Sequence, residues 1–183
     1  MRKVIVSAYA TLDGKVDGIQ DWVVPHDDDA VASYHADLLA NSDGLLLGRK
    51  TYEIFAAIWP PRSGKLAYAD KINSMAKYVA STTLRDSDLV WENSHLIEGD
   101  AAAGVARLKQ QAGQDLVLYG GSDLTDSLQE HDLIDEYRIL VCPVLVGKGR
   151  SFLKDGGRRV NLDLVNTTVI PPGVAILTYR PAR

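Results

Sequence analysis

The sequence predicts an α/β fold with a mostly parallel, mixed β-sheet, helices on both faces and an antiparallel pair of strands at the C-terminal end. Through most of the chain, apolar runs bounded by turn residues alternate with helical patterns. That alternation is typical of a sheet covered by helices on both faces. The last two strand segments follow one another through Pro171-Pro172-Gly173, which favours an antiparallel pair.

The strands are predicted from short apolar segments that end at turn residues. Most of them are unbroken apolar runs, whereas the last two are longer and closer to alternation. The predicted strands are Val4–Ala8, Leu45–Leu47, Tyr78–Ala80, Leu89–Trp91, Leu116–Tyr119, Tyr137–Val141, Leu162–Ile170 and Val174–Tyr179.

Helices are predicted where apolar residues recur every three or four positions. Val31, Tyr34 and Leu38 have this spacing and follow an acidic run at residues 27–29, whose charge favours a helix N-terminus. Loops are predicted at Thr11–Pro25 and Pro60–Lys65. The other predicted helices are Thr51–Ile58, Ala101–Gln111 and Ser122–Glu130.

Length and composition place limits on the kind of protein. The 183 residues are 46% hydrophobic and 24% charged, which predicts a single globular domain over residues 1–183. The net charge of -4 argues against general binding to nucleic acids or anionic membranes. No apolar run approaches the roughly 20 residues of a membrane span. Cys142 is the only cysteine, so no internal disulfide can form, and we predict a cytoplasmic location.

Hydrolysis is a weak alternative based on the segment Gly120-Gly121-Ser122-Asp123-Leu124. A nucleophile elbow requires G-x-S-x-G, so that the backbone can turn sharply on both sides of the serine. Leu124 stands where the second glycine of that motif belongs. Nucleophilic catalysis by Ser122 therefore ranks below the other interpretations.

Metal and nucleoside triphosphate sites are not predicted. The histidines are scattered without i, i+4 spacing, so no metal site is expected. The segment from Gly147 to Ser151 has glycines and cations but lacks the spacing of a P-loop. The histidines are His26, His35, His95 and His131.

Three predicted strands end in residues that suit an anionic, phosphate-bearing ligand. The second strand is followed by Gly48-Arg49-Lys50-Thr51, the third by hydroxyl residues from Ser81, and the fifth by the pair Gly120-Gly121. Glycine permits close backbone approach, and cations at a helix start favour anions. Ligands of open α/β sheets bind at the carboxyl ends of the strands. Helix capping explains Ser81 or Ser122 equally well when each is considered alone.

The order of these motifs resembles the dihydrofolate reductase-like superfamily. The segments are SAYATLDGKVDG, LLLGRKTYE, YVASTT, LVLYGGSDL and EYRILVCPVLVGKGRSFL. They are most similar to the riboflavin-biosynthesis reductase branch, the C-terminal domain of the bifunctional deaminase-reductase. The resemblance runs from the first strand to Leu153. It implies a three-layer dihydrofolate reductase-like fold, NADPH-dependent hydride transfer without flavin or metal, and a homodimer.

The same resemblance implies which residues contact NADPH. Arg49, Lys50 and Thr51 would hold phosphates, with Ser81 and Thr82 beside the adenosine 2′-phosphate. The paired glycines would admit the diphosphate and the nicotinamide ribose, and in this superfamily such a pair can carry a cis peptide bond. The implied cofactor-binding set is Ala8, Gly48, Arg49, Lys50, Thr51, Ser81, Thr82, Gly120, Gly121, Ser122, Asp123 and Leu124.

Fewer residues are candidates for contact with the substrate. Asp13 in TLDGK is the candidate catalytic and substrate-orienting residue, although an Asp-Gly turn explains it equally well. Trp22 is a candidate to stack on a flat ring, and closing the core is its alternative role. Gly147 and Gly149 are expected to border the same pocket.

The predicted function is NADPH-dependent reduction of a small heterocycle, with 5-amino-6-(5-phosphoribosylamino)uracil as the expected substrate. Dihydrofolate reduction is an alternative, but folate-reducing enzymes carry an acidic residue inside the first long helix. Asp37 lies in that helix without a recognisable version of the motif. A non-catalytic NADPH-binding sensor or scaffold is the alternative from another class.

Overall fold

The computed structural model describes residues 1–23, 29–121 and 123–182. Its strands are β1 Val4–Thr11, β2 Ser42–Gly48, β3 Ala76–Ala80, β4 Ser94–Leu96, β5 Asp115–Tyr119, β6 Glu136–Cys142, β7 Leu162–Ile170 and β8 Val174–Pro181. Its helices are α1 Ile19–Trp22, α2 Asp29–Ala40, α3 Arg49–Ile58, α4 Ala67–Ser74, α5 Ala101–Gln110 and α6 Asp123–Glu130.

The strands form one mixed sheet in the order β4-β3-β2-β5-β1-β6-β8-β7. Every neighbouring pair from β4 to β6 is parallel. β8 pairs antiparallel with both β6 and β7. This arrangement confirms the predicted α/β class, including the antiparallel pair of C-terminal strands.

The sheet separates two apolar cores because successive strand residues point to opposite faces. Val4 and Val6 of β1 face α5 and α6, where Val105 and Leu128 are fully buried. Ile5 between them faces the other side, which α2, α3 and α4 cover. Helices therefore pack on both faces, as in the predicted three-layer fold.

The far end of the sheet is less covered. A third core joins α1 to β6 and β8 through residues such as Trp22 and Leu140. Beyond it, β7 is the edge strand and is exposed along nearly its whole length. The exposed apolar residues of β7 are Leu162, Leu164, Val165 and Val169.

Two parts of the predicted element order were wrong. The segment Leu89–Trp91 is not a strand; the strand is Ser94–Leu96. Trp91 is nevertheless buried, and its backbone N–H donates to the Tyr52 hydroxyl at 3.0 Å. Trp91 is apolar because it packs under the edge of the sheet, and it does not pair with a strand. The helix Ala67–Ser74 was not predicted, and only Ala69 and Ile72 of it are buried.

The loops also contain short structured segments. The predicted loop Thr11–Pro25 includes α1, and its residues 24 and 25 lie outside the described part of the chain. Pro60–Arg62 forms a short 3-10 helix. Within the described ranges, no helix is long and apolar enough to cross a membrane.

Candidate functional site

Strand register brings the glycine-bearing motifs to one edge of the sheet. Gly48 at the end of β2 is opposite Ala80 at the end of β3. On its other side, β2 pairs Leu46 with Leu118 of β5, two residues before Gly120. The N–H of Gly120 in turn donates to the Ser7 carbonyl of β1 at 3.0 Å. The carboxyl ends of four adjacent strands therefore meet here, and we call this end of the sheet, with Gly48, Gly120 and the start of α3, the glycine edge.

The N-terminus of α3 faces this edge without a side-chain cap. Gly48 is the N-cap residue and has extended backbone angles. The first turn contains no acidic residue, and Arg49 and Lys50 are exposed. Uncapped N–H groups together with two cations make this helix start a suitable anion site.

Arg49 reaches the loop that follows β3. Its Nη1 donates to the Thr83 hydroxyl at 2.8 Å, and its Nε donates to the Glu53 carboxylate at 2.7 Å. Ser81 lies in the same loop, where its Oγ accepts the N–H of Thr83 at 3.2 Å. Thr82 is exposed. The side chain of Arg49 therefore lies beside the hydroxyl residues that follow β3, and its contact is Thr83, which is not in the predicted cofactor-binding set.

The glycines at this edge differ in what surrounds them. A Cβ atom added to Gly48 or to Gly120 would meet no atom within 4 Å, and Gly120 has a φ of +90°. A Cβ on Gly121 would lie 2.8 Å from the Phe152 carbonyl oxygen. Gly48 and Gly120 thus leave open space, whereas Gly121 is required by packing within the protein. The cis peptide bond of the described chain is at Pro171-Pro172 and not between the glycines, which corrects that expectation.

The start of α6 is tied to a neighbouring loop. Ser122 lies outside the described residues. Asp123 is exposed and accepts a hydrogen bond from Arg150 Nη1 at 2.8 Å. Leu124 is buried in the core shared with α5, so it packs rather than presenting a side chain to a ligand. Ala8 is also buried in that core.

Two aspartates join the loop after β1 to the loop after β6. Asp13 accepts hydrogen bonds from the backbone N–H groups of Gly147 at 2.8 Å and Val146 at 3.3 Å. Asp17 accepts the N–H of Arg150 at 2.8 Å. A Cβ on Gly149 would lie 2.2 Å from Asp17 Oδ1. Gly147 therefore donates a hydrogen bond between the two loops, and Gly149 allows the close approach of Asp17.

The charge state of Asp13 bears on its predicted catalytic role. Hydrogen bonds from the Thr11 hydroxyl and from the Gly147 N–H lower the pKa of Asp13 to about 2. Asp13 is therefore ionised at neutral pH and has no proton to donate there. Its contacts assign it to loop positioning, and its catalytic role remains a prediction without a supporting contact.

Trp22 is part of the core. Its side chain is only 6% exposed, and its indole N–H donates to the Asp17 carbonyl at 2.9 Å. It packs with Val31 of α2 and with Leu140 of β6. This burial argues against the predicted stacking on a substrate ring, and the alternative core role applies.

A group of aromatic side chains lies next to the glycine edge, and we call it the aromatic cluster. Tyr119 immediately precedes Gly120, and the other members come from β1, α2, α3, α4 and the residue that follows α3. None of the ring pairs in this group is stacked face to face, because the angles between the ring planes range from 46° to 86°. The cluster consists of Tyr9, Tyr34, His35, Phe55, Trp59, Tyr68 and Tyr119.

His35 is the central ring of the aromatic cluster. Its centroid lies 5.0 Å from that of Tyr34 and 5.8 Å from that of Tyr119. Its Nε2 is 3.0 Å from the Tyr9 hydroxyl. Burial lowers the pKa of His35 to about 4, so the ring is neutral at physiological pH.

Hydroxyl contacts hold tyrosines of the cluster in place, and burial favours the neutral form of two of them. The hydroxyls of Tyr68 and Tyr119 are 3.1 Å apart, and that of Tyr34 is 3.2 Å from Ser7 Oγ. Burial, with Tyr68 next to it, raises the pKa of Tyr119 well above its usual value. Burial also raises the pKa of Tyr34. The cluster therefore offers neutral hydroxyl and imidazole groups beside the glycine edge.

Asp37 does not take part in the aromatic cluster. It is exposed on α2 and lines an open groove of about 730 Å³ between this helix and β6, β7 and β8. In the groove floor, Glu136 accepts hydrogen bonds from Arg138 at 2.7 Å and from Arg180 at 2.9 Å. The face of α2 that points toward the glycine edge thus carries Tyr34 and His35 where an acid was considered. Within the described residues, no group of three or more His, Cys, Asp or Glu residues is placed to hold a metal ion.

The sequence analysis missed the aromatic cluster because its members are distant along the chain. Tyr9 and Tyr119 occur in segments whose patterns predict only strands and glycine turns. Tyr68 belongs to the helix that was not predicted. The available signal was the adjacency of tyrosine to the glycine pair in LYGG together with Tyr34-His35 on one helix.

The sheet order, the helices on both faces and the glycine edge define an α/β domain of the dihydrofolate reductase-like class. Residues 2–176 match the RibD C-terminal domain, and the chain belongs to that family. This confirms the resemblance to the riboflavin-biosynthesis reductase branch.

Related proteins cover nearly the whole chain. The uncharacterized protein YyaP of Bacillus subtilis is 30% identical in an alignment of 187 positions. The alignment covers 97% of this chain and 94% of YyaP. A putative riboflavin biosynthesis protein from Shewanella sp. PV-4 has a TM-score of 0.77 at 22% identity over 99% of both chains. A deaminase/5-amino-6-(5-phosphoribosylamino)uracil reductase from Thermotoga maritima has a TM-score of 0.68 at 15% identity, over 99% of this chain and 57% of that one. At 22% and 15% identity, the similarity to the Shewanella and Thermotoga structures shows a shared fold.

Proposed function

We propose that this protein is an NADPH-dependent reductase that transfers hydride to a small heterocyclic substrate. The observation that carries the proposal is the alignment of Gly48, Gly120 and the uncapped start of α3 at one edge of the sheet. Membership of the RibD C-terminal domain family supports the same activity. A cytoplasmic location is part of this proposal.

The residues at the edge fit a dinucleotide with several phosphates. A Cβ atom at Gly48 or at Gly120 would have no protein atom within 4 Å, so a ligand can approach the main chain at both positions. The N–H groups at the start of α3, with Arg49 and Lys50, would bind phosphate. Arg49 would exchange its contact with Glu53 for a phosphate, since both side chains are about half exposed.

NADPH, when bound, supplies the hydride. The protein would hold the acceptor ring near the glycine edge, exclude water and provide hydrogen bonds to the ring. The neutral side chains of the aromatic cluster are suited to this, because they add no charge next to an electron-accepting carbon. The proton that accompanies the hydride would come from water or from a hydroxyl of the cluster.

The first substrate to assay is 5-amino-6-(5-phosphoribosylamino)uracil, because the structurally similar Thermotoga maritima protein is named as a reductase of this compound. Dihydrofolate is the second, although Asp37 is exposed and lines the groove between α2 and β6, β7 and β8. A protein that binds NADPH and reduces neither ring would fit the sensor or scaffold alternative. Hydrolysis through Ser122 would require ester turnover that Ser122→Ala abolishes.

Substitution of Gly48 tests the cofactor site separately from folding. Gly48→Ala places a methyl group in open space at an ordinary φ of -75°. We expect NADPH affinity to fall about tenfold or more through overpacking against the ligand, with an unchanged melting temperature. Gly157→Ala, whose added Cβ would be 3.5 Å from the Lys154 carbonyl oxygen, is the control and should bind normally. Equal NADPH affinity in both variants would contradict the proposed cofactor site.

We also propose that two copies associate through β7. This edge strand exposes Leu164, Val165 and Val169, and an uncovered apolar edge favours pairing with another chain. Val169→Lys should shift sedimentation from dimer to monomer. Val90→Lys changes another exposed valine, outside β7, and should leave the dimer intact. A monomeric wild-type protein would contradict this assembly.

A further inference from the structure

Two helices begin at the glycine edge, and their first turns carry side chains of opposite charge. The start of α3 has Arg49 and Lys50 and no acidic residue. The start of α6, shortly after Gly120, has Asp123 and Asp126 in its first turn. Carboxylates suit a helix N-terminus in itself, but they repel the phosphates of a ligand bound next to them. A phosphate-bearing cofactor at this edge therefore requires a cation that compensates the start of α6.

The first turn of α6 lies directly beside the glycine edge. The Thr125 hydroxyl donates to the Gly120 carbonyl at 2.9 Å, so this turn contacts the end of β5. The side chain of Asp126 is only 4% exposed, whereas that of Asp123 is 96% exposed. A buried carboxylate is stable only when it is paired or hydrogen-bonded. The charge of Asp126 therefore has to be balanced from within the protein.

Arg150 pairs with both carboxylates. Its Nη1 donates to Asp123 Oδ1 at 2.8 Å, and its Nη2 donates to Asp126 Oδ2 at 2.9 Å. The other carboxylate oxygen of Asp126 accepts the backbone N–H of Lys154 at 3.2 Å. The Nζ of Lys154 pairs instead with Glu130 at 2.9 Å. The guanidinium of Arg150 is thus the cation that bridges the two acids of this turn.

The backbone of Arg150 is held by the loop that follows β1. Its N–H donates to Asp17 Oδ1 at 2.8 Å, and its carbonyl accepts the N–H of Val16 at 3.0 Å. Phe152, in the same segment, packs so closely on Gly121 that a Cβ there would lie 2.9 Å from the Phe152 ring. Because its backbone is fixed in this way, the planar guanidinium is already directed at α6 before a ligand arrives.

Arg150 reduces the negative charge of the turn without cancelling it. Asp123 and Asp126 supply two carboxylates, and the guanidinium compensates one of them. The Arg150 side chain is about one-third exposed, so its charge also acts on a ligand in the open space at Gly120. Without the guanidinium, both carboxylates would be uncompensated beside the bound phosphates.

We propose that Arg150 is a positioning residue for the cofactor, which neutralises the acidic start of α6 and thereby allows the phosphates of NADPH to lie along the glycine edge. This inference rests on the proposed reductase function and deepens it. Arg150 is absent from the implied cofactor-binding set and acts through Asp123 and Asp126. The segment Gly147–Ser151, whose glycines and cations do not form a P-loop, thus contributes to the cofactor site through Arg150.

NADPH affinity, measured by calorimetry, tests whether Arg150 acts through its charge. Arg150→Gln should weaken NADPH binding about tenfold at low salt. The ratio of its dissociation constant to that of the wild-type protein should fall as salt is added, because salt screens the repulsion. Arg150→Lys keeps the charge and should remain within about threefold of wild type. Unchanged NADPH affinity in Arg150→Gln, or equal losses in both variants, would overturn the proposal.

A compensating substitution separates charge from folding. Arg150→Gln leaves the buried Asp126 without its cation, so a lower melting temperature is also expected. The double variant Arg150→Gln/Asp126→Asn has one uncompensated carboxylate at this turn, as the wild-type protein does, and its two amides form a donor–acceptor pair. We expect its NADPH affinity to return to within about threefold of wild type. A double variant that binds as weakly as Arg150→Gln would overturn the charge role.

Arg158 provides the matched control. It donates to Asp132 at 3.0 Å beyond the other end of α6. The helix is about 12 Å long, which exceeds the screening length of about 8 Å at physiological salt. Arg158→Gln should therefore bind NADPH like the wild-type protein, and an equal loss there would overturn the assignment to Arg150.

The wild-type titration separates this inference from the proposed function. Normal NADPH binding by the wild-type protein and by Arg150→Gln would overturn the role of Arg150 alone. A wild-type protein that does not bind NADPH would contradict the proposed reductase and this inference with it.

Discussion

The carboxylate of Asp13 accepts the backbone N–H of Gly147 at 2.8 Å, although the two residues lie in different loops. The Thr11 hydroxyl occupies its other oxygen at 2.6 Å. In Asp13→Asn, one oxygen is replaced by an NH₂ group that cannot accept. We therefore expect faster amide hydrogen exchange at Gly147, measured by NMR, with the fold retained.

The same variant distinguishes loop positioning from acid catalysis. The exposed Asp155 provides the control Asp155→Asn, which should leave the exchange rate at Gly147 unchanged. Because the pKa of Asp13 is about 2, the wild-type protection should persist on acidification until the pH approaches that value. A protected Gly147 amide in Asp13→Asn would contradict the positioning role.

Gly149 should tolerate a side chain less well than Gly147. Both have positive φ values, +112° and +71°, but only at Gly149 would a Cβ collide, at 2.2 Å from Asp17 Oδ1. Gly147→Ala should cost about 1 kcal/mol for its backbone conformation alone. Gly149→Ala should cost roughly 2 kcal/mol more. Urea unfolding of both variants measures this difference, and equal losses would show that Asp17 yields freely.

His35 predicts a pH dependence of stability. Burial lowers its folded pKa to about 4 from 6.5, so the unfolded state binds the proton more readily. The stabilisation is fully present above the unfolded pKa and is lost as the pH falls from 6.5 toward 4. Between about pH 7.5 and about pH 4.5, His35 should account for about 2 to 3 kcal/mol of lost stability.

The variant His35→Gln isolates that contribution. Its free energy of unfolding should fall less on acidification than that of the wild-type protein, by about the same 2 to 3 kcal/mol. His95→Gln at an exposed position should retain the wild-type dependence. Identical pH profiles for wild type and His35→Gln would mean that His35 is not held neutral by the fold.

Arg49 should determine cofactor choice. It contacts Thr83 in the loop predicted to receive the 2′-phosphate, and that phosphate distinguishes NADPH from NADH. Arg49→Gln should weaken NADPH binding about tenfold, because it removes a charge-assisted contact, and should leave NADH binding almost unchanged. Arg107→Gln on α5 should change neither. Equal losses for both nucleotides would place Arg49 at the diphosphate instead.

Sequence periodicity predicted the centre of the sheet because β1, β2 and β5 are buried on both faces and are written as apolar runs. It failed at Leu89–Trp91, where Trp91 packs under the sheet edge without strand pairing and Val90 is exposed. The true β4 is the short segment Ser94–Leu96, with no apolar run to mark it. Local pattern predicts burial, but backbone pairing depends on which segment reaches the edge of β3.

The candidate site also has a part that the sequence predicted and a part that it did not. Gly48 and Gly120 were recognisable because each follows a strand directly, and parallel register then places strand ends together. The aromatic cluster depends on the positions of α2, α3 and α4, which the sequence does not specify. Asp13 and Trp22 were chosen by residue type, and their contacts, with Gly147 and the core, depend on how the loops fold.

The most direct test of the central claim is the thermal stability of the wild-type protein with NADPH and with NADH. A ligand at 100 times its dissociation constant adds about 2.7 kcal/mol to the free energy of unfolding, which raises the melting temperature measurably. We predict a clear shift with NADPH and a smaller one with NADH at the same concentration. No shift with either nucleotide would contradict the assignment of the glycine edge as a cofactor site and, with it, the proposed reductase.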